Sequence, residues 1–248
     1  MTRLGYLPVW VFSASDPLNV ISQFNNIATS AHPVMRDRSS KLPQPSLLQF
    51  MWNLDGKAQG RAIGTRILCT DCHNSDDNRE FGGNGPNGPH GSQYPHILER
   101  RYEFSQVAPN AGPGSTIMDL FPDPVLDPAC STYPCSSPYA LCAKCHNLNS
   151  LLTNASFNQH ARHIKDGFSC SVCHTAHGVA VASSASAGLR LINFDAQVVG
   201  SNGGAPVSYN PGNNTCTLIC HNTRHNADGT VSGTSPKGPP GHVHGRKP

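Results

Sequence analysis

Ten cysteines and thirteen histidines occur in this 248-residue chain. Most of the cysteines come in pairs with a histidine directly behind. "CTDCH" covers Cys69, Cys72 and His73; "CAKCH" covers Cys142, Cys145 and His146; "CSVCH" covers Cys170, Cys173 and His174. Chance gives on the order of 0.02 such pentapeptides in a chain of this composition. A fourth pair, Cys216 and Cys220 in "CTLICH", carries one extra residue between its thiols and ends on His221. Two thiols and an adjacent imidazole suit a covalently attached haem c: the thiols bond the two vinyl groups and the imidazole ligates iron. Zinc ribbons pair two CxxC knuckles and need no histidine behind each. A thioredoxin-type CxxC needs a βαβ setting, which no copy has. The pattern therefore predicts four c haems, with His73, His146, His174 and His221 as proximal ligands. Cys130 and Cys135, in "CSTYPC", have no following histidine. Haem c is attached outside the cytoplasm, where spare thiols oxidise, so these two are expected to form a small-loop disulfide.

Nine histidines remain for four sixth positions, against four methionines. The surplus favours bis-histidine iron. "SFNQHARHIKDG" predicts a short helix between Ser156 and Gly167, with Phe157, His160 and Ile164 on one face and His163 beside them. His177, three residues after His174, is too near its own loop to cross that haem and suits a neighbouring one. His90 lies in a Gly/Pro loop, "GPNGPHGS", open to close approach. His32 precedes Pro33, which biases it toward extended backbone, as in an arm crossing a haem edge. His32, His90, His160, His163 and His177 form the distal pool. His96 and His225 are read as surface or propionate contacts, and His242 and His244 as part of a tail.

The elements that must position these groups look sparse. Glycine (23) and proline (21) are abundant and charged residues make up 13%, about half the usual share. The expected fold is mostly irregular coil with a few short helices and minimal strand. It is a single tetrahaem domain over 1–248, with an N-terminal arm (1–60) and a Gly/Pro-rich tail (226–248). "LRLINF" reads as a strand. The proximal histidines are 73, 28 and 47 residues apart. About 62 residues per haem is too few to wrap each ring separately, so the haems share walls and act as the core. No apolar run is long enough to span a membrane. The opening "MTRLGYLPVWVFSAS" is short and interrupted by Pro8, so a mature chain without its signal is expected. "NAS" at Asn154 and "NNT" at Asn213 match the glycosylation sequon.

The order "HPV", "CTDCHN", "GPNGPHGS", "CAKCHN", "FNQHARHI", "CSVCHTAHG", "RLINF", "CTLICH" resembles that of extracellular multihaem cytochromes of metal-reducing prokaryotes. It is most similar to tetrahaem cytochromes that polymerise into conductive filaments. The likeness runs from about His32 to His225. It implies bis-histidine irons, parallel and T-shaped haem pairs, and a distal histidine donated by a neighbouring subunit. The segment 103–141 and the tail have no counterpart in it.

The expected function is extracellular electron transfer by hopping between four haems, as the repeating subunit of a filament. The alternative is a diffusible periplasmic or extracellular shuttle. A reductase needs an open iron, and no CxxCK occurs. The expected partners are further copies of the chain, other redox proteins and extracellular electron acceptors, with no nucleic acid. The apoprotein is formally +3; eight propionates and four ferric porphyrins bring it to roughly −1. A near-neutral surface opposes self-association only weakly. His32 is the first choice for a ligand given to a neighbour and His177 the second.

Overall fold

A computed structural model describes residues 20–25, 27–35, 57–58, 61–62, 67–79, 83–104, 138–154, 158–180, 188–220 and 222–233. Cys130, Cys135, Ser156, Phe157, His221, His242 and His244 lie outside them. The described residues form two compact units, and the chain passes from one to the other between Val172 and Cys173.

The first unit joins the described part of Met1–Asp37 to Cys173–Thr234. Helix α1 (Ile21–Phe24) precedes β1 (Ser30–Ala31), which pairs antiparallel with β4 (Gly178–Val179), Ser30 opposite Val179 and Ala31 opposite Gly178. Gly178 is required there: a Cβ on it would strike the carbonyl oxygen of Gln23. Downstream lies a five-stranded antiparallel sheet. Its strands are β5 (Val199–Gly200), β6 (Ser208–Asn210), β7 (Thr215–Cys220), β8 (Thr223–His225) and β9 (Val231–Ser232). β7 is its axis: β6 pairs with its first half, β5 and β8 with its second, and β9 with β8. Thr215, Thr217 and Ile219 are β-branched and favour the extended form. Val199, Tyr209 and Leu218 are buried in this unit.

The second unit takes in the described residues of Arg38–Val172. Short strands β2 (Lys57–Ala58) and β3 (Arg61–Ala62) pair as a hairpin. Helices α2 (Ala140–Ala143), α3 (Leu148–Leu152) and α4 (His160–Lys165) follow. α4 ends as the sequence predicts. Gly167 takes φ 98°, the Phe168 N–H donates to the His163 carbonyl (3.0 Å) and the Gly167 N–H to that of Ile164 (3.0 Å), a Schellman stop. The hydrophobic cluster here is Tyr139 and Ile164, with Tyr102, Cys142, Leu148 and Cys170 packed against it. "LRLINF" is not a strand. Leu189–Leu191 is a 3₁₀ turn in which Arg190 and Leu191 are left-handed, and that handedness breaks the extended run.

Among the described residues no helix is long and apolar enough to cross a membrane.

Candidate haem centres

The first motif is closed by a single helical turn. Cys69–Asp71 is 3₁₀, and the His73 N–H donates to the Cys69 carbonyl (2.8 Å). The Asp71 carboxylate accepts from the Leu68 N–H (2.7 Å), capping the turn from inside the motif. The second motif is built alike: α2 runs into it, and the His146 N–H donates to the Cys142 carbonyl (2.9 Å). The third opens with a 3₁₀ turn at Cys170–Val172. Such a turn brings residues three apart to one face, so each motif gathers its two thiols on one side.

Each of two motifs then meets a strap that the sequence reading missed. The His73 Nδ1 donates to the carbonyl of His96 (2.8 Å). The His174 Nδ1 donates to that of Arg190 (3.2 Å). In both straps the residue whose carbonyl accepts this bond and its successor are left-handed: His96 and Ile97 in one, Arg190 and Leu191 in the other. The next residue forms an antiparallel bridge with the motif histidine, His73 with Leu98 and His174 with Ile192. The residue after that donates its N–H to the motif's second cysteine, Glu99 to Cys72 (2.8 Å) and Asn193 to Cys173 (2.9 Å). Left-handed backbone costs a non-glycine residue about 1–2 kcal/mol, so four such residues persist only where their surroundings demand them. A signal was present: "HILE" and "RLIN" are both basic, apolar, apolar, polar. His96 itself is exposed, its ring edge-on to Phe104 at 5.3 Å. Its carbonyl, not its imidazole, does the positioning.

The consequence is chemical. An imidazole whose Nδ1–H is held by a carbonyl keeps the lone pair on Nε2, the tautomer a metal needs. His73 and His174 meet this condition, as do two members of the distal pool. The His163 Nδ1 donates to the Gln159 carbonyl (2.8 Å). The His32 Nδ1 donates to that of Ala176 (2.7 Å).

His32 lies beside the third motif in its own chain. Its N–H donates to the His177 carbonyl (3.1 Å). Two residues earlier, the Ser30 hydroxyl donates to the Gly188 carbonyl and accepts from the Leu191 N–H (2.9 Å), clamping the arm onto the strap. His32 and His174 sit close enough to act on each other electrostatically, and burial holds both below the ordinary histidine range. Neutral imidazole is the ligating form. The His177 ring packs 5.1 Å from Phe24. His160 and His163 lie one turn apart on α4, both half-buried. His90 is exposed, its ring folded back over left-handed Gly88, where a Cβ would stand 3.2 Å from Nε2.

Cys72, Cys142, Cys145 and Cys170 lie near one another. Burial pushes Cys72 up to about 11, and Cys142 and Cys170 higher still. Cys142 feels Cys170 first among the thiols, then Cys72 and Cys145. Cys142 and Cys170 also border the Tyr139–Ile164 cluster. Leu68 (52%), next to Cys69, and Ile97 (43%) and Phe104 (44%), at the strap beside His96, are exposed. That apolar group is what a porphyrin held at the motif would cover. The first three motifs therefore fit haem c.

The fourth does not present its thiols in that way. Cys216 and Cys220 are both on β7, Cys216 opposite Tyr209 and Cys220 opposite Val199 and Thr223. Four residues of strand span roughly 13 Å, against a single turn in the other motifs. Both side chains share a face, and burial raises both thiols to about 11. Joining one porphyrin to both requires the strand to bulge between them, where the extra residue lies. His225, on β8, contributes its carbonyl to the Asn202 side chain (3.0 Å).

Compared with family models, with curated proteins and with solved structures, the chain matches none.

Proposed function

We propose that the chain carries electrons between four bis-histidine haem c sites outside the cytoplasm, as the repeating subunit of a filament. A haem c held at these motifs supplies a one-electron iron couple. The observation that carries the reading is the pair of strapped loops. In each, a histidine behind two thiols has its Nδ1 committed to a backbone carbonyl, the tautomer that keeps the Nε2 lone pair a metal needs. Cys69, Cys72, Cys142, Cys145, Cys170, Cys173, Cys216 and Cys220 form the thioethers. His73, His146, His174 and His221 are the proximal ligands.

His32, held beside the third motif by Ala176 and by the Ser30 clamp, would supply a distal ligand to a haem at that motif. This uses His32 within its own chain, so His177 becomes the candidate for a ligand given to a neighbouring copy. His160, His163 and His90 serve the remaining sites. With a surplus of imidazoles no iron position is left open, and the chain is an electron carrier and not an enzyme. The fourth site rests on its sequence motif, since β7 lacks the turn of the others.

The native oxidised protein should be low-spin at every iron, and the reduced protein should not bind carbon monoxide before denaturation. High-spin iron would revive a catalytic reading. Electron microscopy should show filaments. Sedimentation as a monomer at all concentrations would move the assignment to a diffusible shuttle.

A further inference from the structure

Attachment and ligation leave unexplained a group of buried charges between the first and second motifs. Glu99, Arg100, Lys144 and Asp71 are 0%, 0%, 3% and 6% exposed. Lys144 lies inside "CAKCH". Its Nζ donates to the Asp71 carbonyl, inside "CTDCH", at 2.7 Å. It also meets both Glu99 carboxylate oxygens, at 3.0 and 3.1 Å. Glu99 is tied by its N–H to the Cys72 carbonyl (2.8 Å) and by its carboxylate to the Asn74 amide (3.3 Å) and the Arg100 Nε (3.3 Å). These three Lys144 contacts are to acceptors, as an ammonium ion makes. Stability is a weak reason for such a group, because apolar replacements of buried ion pairs are often neutral or stabilising. Its position offers a better one. Lys144 and Glu99 are near enough to the Cys72 thiol to act on it in opposite senses. Charge in a low dielectric acts strongly on any redox centre nearby.

We propose that the Lys144–Glu99 pair sets the reduction potentials of the first two haem sites, the ammonium favouring the reduced iron and the carboxylate the oxidised. This rests on the haem reading above. Removing the ammonium should lower those potentials; removing the carboxylate should raise them.

The test is spectroelectrochemical titration of the purified holoprotein and of Lys144→Met, Glu99→Gln, the double variant and Lys144→Arg. Intact mass first establishes the haem content of each. The two single variants should shift part of the titration curve in opposite directions and leave the rest superposed. The double variant should return toward the parent, and Lys144→Arg should stay close to it. A purely structural role predicts shifts of the same sign, as water enters in both variants. Shifts of the same sign, or none, in haem-loaded protein overturn the proposal and leave the haem reading standing. A parent without haem overturns both. If Lys144→Met does not fold, the isosteric Glu99→Gln decides alone: an upward shift supports the proposal, and a downward one or none refutes it.

Discussion

The segments Cys69–His73 and Cys216–Cys220 carry nearly the same chemical groups in opposite backbone states. In the first, Asp71 turns its carboxylate back to the Leu68 N–H and closes a 3₁₀ turn. In the second, threonine, leucine and isoleucine fill the interval and the chain extends as β7. The spacing of cysteines alone does not decide the local form. A polar capping residue favours the turn and β-branched residues favour the strand. The difference extends to the support around each motif. The first has a strap whose left-handed carbonyl fixes its histidine, and the strand instead has partners on both sides.

The sharpest way to test this contrast is to delete each pair. Cys69→Ala with Cys72→Ala, and Cys216→Ala with Cys220→Ala, should each remove one haem's share of absorbance per polypeptide. The first should also destabilise its unit, because Leu68, Ile97 and Phe104 lose their cover. The second should leave the first three sites spectrally unchanged. Undiminished absorbance in the second variant would mean that the strand holds no haem.

A smaller effect is expected from Leu218→Ala. This side chain is buried in the sheet, and its truncation should cost about 2–5 kcal/mol. Denaturant unfolding should show the loss, and the visible spectrum of the first three sites should persist. Gly178→Ala should cost about 1–3 kcal/mol by overpacking. It drives a methyl into the Gln23 carbonyl and parts β4 from β1. Because His32 follows β1, the low-spin signal of one iron should change as well; an unchanged signal would argue against His32 as ligand to the third site. Gly167→Ala, at a left-handed helix stop, should cost about 1 kcal/mol. Thermal melting would register it, with no loss of haem.

Residue identity and spacing made the three CxxCH motifs legible, because each is a fixed local pattern of residue types. The Gly167 helix stop was legible for the same reason. The straps were not. Arg190 and Leu191 belong to a run that alternates like a strand, and only its tertiary partner, His174, reveals the left-handed pair. His96 looked like a surface histidine because its role belongs to its carbonyl, which every residue has. His32 was expected on an extended arm and follows strand β1, with its backbone and ring tied to His177 and Ala176. The Ser30 clamp two residues before it joins residues 158 and 161 positions apart, beyond the range of any local pattern. The buried Glu99–Lys144 pair joins residues 45 apart, and nothing near either residue indicates it. The expected Cys130–Cys135 disulfide falls outside the described residues.

The most direct test of the account is the intact mass of the native protein after acid denaturation, which strips non-covalent ligands and spares thioethers. The expected mass is that of the polypeptide plus four haems. A polypeptide mass with no haem would contradict it outright, and one with three would confine it to the turn-closed motifs and exclude β7.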